Sequence, residues 1–169
     1  MHYDGSTFGG TPVKTYTNDY IRDTGILAHG IFGSFIISYG VAQRYWYNDL
    51  SISYRRRTRY DYQPLMMTYV QNNLYLRFET DMAIKGWNKS HMSDVSASRH
   101  DVEFDLGTGS GSGIEIGIFL PGQLFATHVY LSYHKWAFKA SNAVSDGVDN
   151  LIEPENNTQT VQVGLGIAL

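Results

Sequence analysis

Between Leu74 and Lys85 apolar and polar residues alternate one by one. Leu74, Leu76, Phe78, Thr80, Met82 and Ile84 fall on one side of an extended chain, and Tyr75, Arg77, Glu79, Asp81, Ala83 and Lys85 on the other. A strand sends successive side chains to opposite faces, whereas a helix returns to the same face every third or fourth residue, so this pattern points to a strand. The same period recurs along the chain. Leu27 to Ala42 reads as large apolar residues at odd positions and mostly small ones at even positions. Val102 to Leu106, Ile114 to Leu120, Val129 to Tyr133 and Val161 to Leu169 repeat the rule. With Leu50 to Arg59 and Leu65 to Val70 added, the sequence predicts about seven or eight strands and an all-β fold.

The links between these strands come in two sizes. Val70-Gln71-Asn72-Asn73 and Leu120-Pro121-Gly122-Gln123 are short and carry turn chemistry, whereas 88–101 and 140–159 are long, polar and rich in Ser, Asn, Asp and Gly. Short turns at one end and long loops at the other match an antiparallel up-and-down transmembrane β-barrel. The alternative is a soluble β-sandwich, for instance a carbohydrate-binding module, with Arg77, Glu79, Asp81 and Lys85 in water. Charged groups do not sit unpaired in an apolar core, so a barrel instead turns them into its lumen and Leu and Ile toward lipid. Aromatic residues near strand ends (Tyr45, Trp46, Tyr47, Tyr54, Tyr60, Tyr62, Trp87, Trp136) read as interfacial girdles. The chain closes on an alternating apolar strand at Leu169, where barrels of this kind usually have Phe.

The chain has 169 residues, which suits one β-barrel domain over 1–169 or a fragment of a larger barrel. With 43% apolar residues and 14% aromatic, it can bury enough surface to be ordered. A formal charge of −3 suggests no nucleic-acid partner. Without cysteine there is neither a disulfide framework nor a zinc finger. The histidines lack metal-ligand spacing, and His128 and His134 stand about 20 Å apart along one straight strand, so neither a metal nor another cofactor is expected. No apolar run approaches the roughly 20 residues of a membrane-spanning helix, and the N-terminus does not read as a secretory signal.

The stretch Arg59-Tyr60-Asp61-Tyr62-Gln63-Pro64-Leu65-Met66-Met67-Thr68-Tyr69, the turn near Asn72, the strand ending at Lys85-Gly86-Trp87 and the hairpin Gly113 to Ala140 together resemble the omptins. These are ten-stranded barrels of the bacterial outer membrane that cleave peptides next to basic residues. The resemblance covers about 30–169, the C-terminal part of such a barrel. It implies an Asp-x-His pair in the loop after the Gly-Trp strand and two further Asp residues in the N-terminal half. Asp94 stands where the loop Asp is expected, but Ser96 occupies the His position. His100 becomes the base by default, with His91 also nearby and Asp94 as the orienting acid. Asp4, Asp19 and Asp23 are isolated, so the second acidic pair has no counterpart. If the chain is an enzyme, it hydrolyses peptide bonds, and Glu79, Asp81, Glu103, Asp105 and Glu115 as luminal acids favour a basic peptide. If it is not, it is a porin, an adhesin or a surface antigen.

Arg55-Arg56-Arg57-Thr58-Arg59 is the only charge run. Alternation splits it between two faces. Arg55 and Arg57 fall on one side and Arg56 on the other. The run either binds outer-membrane lipid, with Arg59 as the contact and lipopolysaccharide phosphate as the partner, or lines the pore as a solvated or luminal face. Gly107-Thr108-Gly109-Ser110-Gly111-Ser112-Gly113 has no helix behind it to cradle a phosphate and reads as a flexible lead-in to a strand.

Overall fold

The computed structural model describes 2–6, 12–16, 18–49, 55–120 and 126–168. A small hairpin of β1 (His2–Ser6) and β2 (Pro12–Tyr16) precedes the main sheet. The sheet contains β3 (Asn18–Phe32), β4 (Phe35–Asp49), β5 (Arg55–Gln71), β6 (Leu74–Ser90), β7 (Val102–Asp105), β8 (Gly109–Leu120) and β9 (Ala126–Phe138). A two-residue pairing of β10 (Val144–Ser145) with β11 (Asn150–Leu151) follows, and β12 (Asn156–Ala168) ends the sheet. Neighbours pair antiparallel in the order β12-β9-β8-β6-β5-β4-β3, with β7 beside the far end of β6. β7 and β8 are one line of chain broken at Gly107, whose φ of 60° turns the backbone between them.

The architecture is one antiparallel sheet curled into a half-barrel, not two packed sheets. Side-chain contacts record the curl. In a flat sheet β5 and β9 would lie about 14 Å apart and β4 and β9 about 19 Å apart. Yet the rings of Tyr60 and Trp136 are 4.6 Å apart, and the Arg44 guanidinium lies 5.7 Å from the Trp136 ring. Tyr60, Tyr62, Ala83, Leu106, Trp136 and Phe138 form the buried core of the concave face.

The short turns sit together at one end. Gly33-Ser34 closes β3 to β4 and Asn72-Asn73 closes β5 to β6, with φ of 60° at Gly33 and 55° at Asn72, as two-residue hairpin turns require. The opposite end carries loops 91–101 and 139–155. Met92, Val102 and Phe104 pack there against Val144 and Leu151, so the two loops share a small core of their own.

Several strand assignments change. Leu27 to Ala42 is not one strand but two halves of a hairpin, because its small-residue rhythm runs unbroken through the Gly33-Ser34 turn. Arg55–Arg59 and Leu65–Val70 belong to one longer element, with 50–54 outside the described residues: β5 runs from Arg55 through Pro64, where the β4 ladder skips Gly40 and Val41. Asp61 pairs with Lys85 but Tyr62 with Ala83, so Ile84 is extra. This bulge flips the alternation, exposing Lys85 and turning Gly86, Asn88 and Ser90 inward. Tyr60, Tyr62 and Trp136 are core residues rather than girdle residues. Glu103 and Asp105 pair with Lys89 and Trp87 and share their outward face, leaving Glu79, Asp81 and Glu115 as the inward acids. Tyr54, Pro121-Gly122-Gln123 and Leu169 lie outside the described residues.

The convex face is apolar across its whole width at the short-turn end. Phe32, Phe35, Tyr69, Leu76, Ile116, Leu131 and Val163 form one cross-strand row, each in register with the next. Val161, Val163, Leu165 and Ile167 of β12 extend it downward, Val163 with 79% of its surface exposed. Toward the long loops the same face becomes polar, with Gln43 donating to Asp61 and with Arg57, Arg59, Lys85 and Lys135.

Candidate functional site

The concave face carries charge in pairs. Arg44 of β4 binds Asp23 of β3 through two hydrogen bonds of 2.6 and 2.7 Å. Arg77 of β6 donates to Glu115 of β8 at 3.0 Å, and the Tyr75 hydroxyl donates to the same oxygen at 2.8 Å. Between these two pairs opens a cavity of about 230 Å³, lined by Asp23, Arg44, Arg77, Glu79, Glu115 and His134 among others.

Glu79, Asp81 and His134 meet at its edge, with one potential ligand atom of each within 4.8 Å of the others. Register explains how residues of β6 and β9 meet across an intervening strand. Gly113 of β8 lies between Glu79 and His134, and Gly111 lies between Asp81 and Trp136. A Cβ at Gly111 would stand 2.6 Å from Asp81 Oδ2, and one at Gly113 would stand 2.5 Å from the His134 ring. From Gly109 onward the glycine run is therefore part of β8, and its missing side chains are what let Asp81 reach His134. Trp136 Nε1–H donates to His134 Nδ1 at 2.9 Å, which puts the ring proton on Nε2, and Nε2 donates it to Asp81 Oδ2 at 2.7 Å. Asp81 Oδ1 is buried without a hydrogen-bond partner.

Asp94 and His100 are in the first long loop but are not joined. The Asp94 carboxylate takes two hydrogen bonds from Arg55, at 2.7 and 2.8 Å. His100 is tied to the other loop, its backbone N–H donating to the Asp146 carbonyl, and its ring lies against Gly147. The His–Asp contact in this loop is His91 Nδ1 with Asp101 Oδ2 at 2.8 Å, and Ser93 Oγ donates to the other Asp101 oxygen at 2.6 Å. Arg59 points outward, 3.5 Å from Asp61, and with Lys85 and Trp87 borders a shallow outer pocket above the apolar band.

The loops are held by carboxylates that must be ionised. Arg99 bridges Asp146 and Asp149, and Arg56 of β5 pairs with Glu153. Three of the loop acids lie below the ordinary value of 3.8: Asp94 through the Arg55 hydrogen bond, Asp101 through the Ser93 hydroxyl, and Asp146 through the Asp149 backbone N–H. A lowered folded-state value means the stabilisation is complete above the ordinary value and is lost as pH falls through the lowered one. Hydrogen exchange in 91–101 and 139–155, corrected for its intrinsic rate, should therefore rise relative to β5 and β6 as pH falls below the ordinary value of 3.8. An unchanged ratio would show that these carboxylates do not hold the loops.

Sequence reasoning found the inward Glu79–Asp81 pair but not its partners. His134 lies two strands away, and only the pairing register brings it to Asp81. A scan against protein-family models and a search of curated proteins find no match to the chain.

Proposed function

We propose that the chain forms the wall of a bacterial outer-membrane β-barrel, with its convex face in lipid and its concave face turned to a polar lumen. The unbroken apolar row from Phe32 to Val163 carries this reading. Burying one large apolar side chain is worth about 1.5–3 kcal/mol, so a row this wide facing water would be strongly unfavourable. The inner face has the opposite character, with Arg44, Arg77, Asp23 and Glu115 in ion pairs. Arg59, Lys85 and Trp87 then stand at headgroup height, where lipopolysaccharide phosphate would meet a guanidinium and an ammonium. Glu79, Asp81 and Glu115 suit a basic peptide as a luminal partner.

The proposal is for a non-enzymatic barrel rather than an omptin-like peptidase. The observation that favours this version is the commitment of Asp94 to Arg55, which leaves His100 without the carboxylate that would orient it. The barrel reading predicts that strand circular dichroism and a heat-dependent shift in gel mobility develop in detergent micelles and not in plain buffer. A monodisperse, folded protein without detergent would defeat it.

A further inference from the structure

Asp23, Arg44, Arg77, Glu79 and Glu115 line the concave-face cavity, with Asp81 beside Glu79 at its edge, and four of these six charged groups neutralise one another. Arg44 is paired with Asp23, and Arg77 with Glu115. Glu79 and Asp81 remain, two carboxylates on one face of β6 with no cation assigned to either. Asp81 is 5% exposed, and its Oδ1 has no hydrogen-bond partner. An acceptor buried in that state costs free energy unless something positive or protic meets it. Its other oxygen is fixed by His134, so the carboxylate cannot rotate toward solvent without losing that bond.

We propose that Glu79 and Asp81 bind a hard divalent cation, Mg²⁺ or Ca²⁺, through carboxylate oxygens at the edge of the concave-face cavity. His134 is a positioning residue here, not a ligand. Trp136 donates to Nδ1, so that nitrogen holds a lone pair and Nε2 holds the proton. A metal on Nε2 would require the proton to move to Nδ1, directly against the Trp136 N–H. The ligand set is therefore oxygen only, which selects hard ions over zinc. A histidine hydrogen-bonded to a ligating carboxylate is a common outer-shell arrangement. The cavity leaves room for the waters that complete the shell, as Mg²⁺ on one or two carboxylates usually needs. The two positive charges of such an ion match the two carboxylates it would bind.

The test uses the full chain in whichever medium holds it folded, so its failure does not bear on the membrane reading. Cation-stripped protein is titrated with Mn²⁺ as an oxygen-seeking probe, followed by electron paramagnetic resonance, and then with Mg²⁺ and Ca²⁺ as competitors. One saturable Mn²⁺ site is expected, displaced by Mg²⁺ or Ca²⁺ and weakened at least tenfold in both Glu79→Gln and Asp81→Asn. The exposed Glu103→Gln serves as the control and should bind as the parent does. Folding of each variant is checked by strand circular dichroism, and both amide replacements preserve side-chain volume. Three results would overturn the proposal: no saturable site in folded protein, binding that survives both substitutions, or a site that takes Zn²⁺ in preference and depends on the His134 ring as a ligand. Unfolding midpoints that rise in both amide variants with no response to any cation would mean that a proton holds the pair together.

Discussion

Trp136→Ala is expected to destabilise the protein by about 3–5 kcal/mol, the range for removing a large aromatic side chain from a packed core. Trp136 is 1% exposed and touches almost every element of the concave core. Its ring stacks on Phe138 at 5.8 Å, meets Tyr62 edge-on at 5.1 Å and packs on Tyr60 at 4.6 Å. The Arg44 guanidinium covers it from β4. Its position over Gly111 means that no neighbouring β8 side chain can move in to fill the space. Trp136→Phe separates packing from polarity: it keeps most of the ring and loses the N–H to His134. That change should cost about 0.5–1.5 kcal/mol, the net worth of one hydrogen bond, plus a smaller packing loss. Denaturant unfolding followed by circular dichroism measures both. A cost below about 1 kcal/mol for the alanine variant would mean that the aromatic cluster does not hold the curl.

Leu131→Arg is expected to weaken folding into lipid bilayers by up to about 2–4 kcal/mol, the cost of a cation on the lipid face of a barrel. Leu131 lies within the outward row, between Ile116 and Val163. Lys135 faces the same way four residues further along β9, toward the polar end, so the strand itself records where charge becomes acceptable. On a surface in water the same substitution would usually change stability by no more than about 0.5 kcal/mol. Equilibrium folding into vesicles, with Gln159→Arg as the control near that boundary, distinguishes the two environments. A cost for Leu131→Arg no larger than that of Gln159→Arg would remove lipid from the convex face.

The strand content was legible because period two is a local property of the chain. Ile114 to Leu120 and Val129 to Tyr133 needed no knowledge of their neighbours. What resisted reading were the places where the alternation shifts without a change of composition. The Gly33-Ser34 turn sits inside a run of small residues that looks continuous. The bulge at Ile84 follows a regular pattern and precedes another. Both depend on pairing with a partner strand, and a single strand does not contain that information. The candidate site divides in the same way. Glu79 and Asp81 are two residues apart and visibly share a face. His134 and Trp136 join them only through register across β8, and Gly111 and Gly113 matter for the space they leave. Their chemistry is invisible in a reading that looks for functional side chains. Asp94 and His100 show the converse, since nearness in an irregular loop does not create contact. Arg55 reaches Asp94 from the adjoining strand, and His100 is drawn to the second loop.

Among the described residues, the outer edges of β3 and β12 carry no ladder partner. Along the path between them each strand reverses the direction of the one before, and seven strands make six reversals. The first and last therefore point the same way. Brought together directly, they would form a parallel seam in an otherwise antiparallel wall, with the slanted and slightly weaker hydrogen bonds of that arrangement. A fully antiparallel cylinder requires an odd number of strands between them. The same count governs self-association: two such sheets related by a two-fold axis along the barrel would meet at parallel seams only.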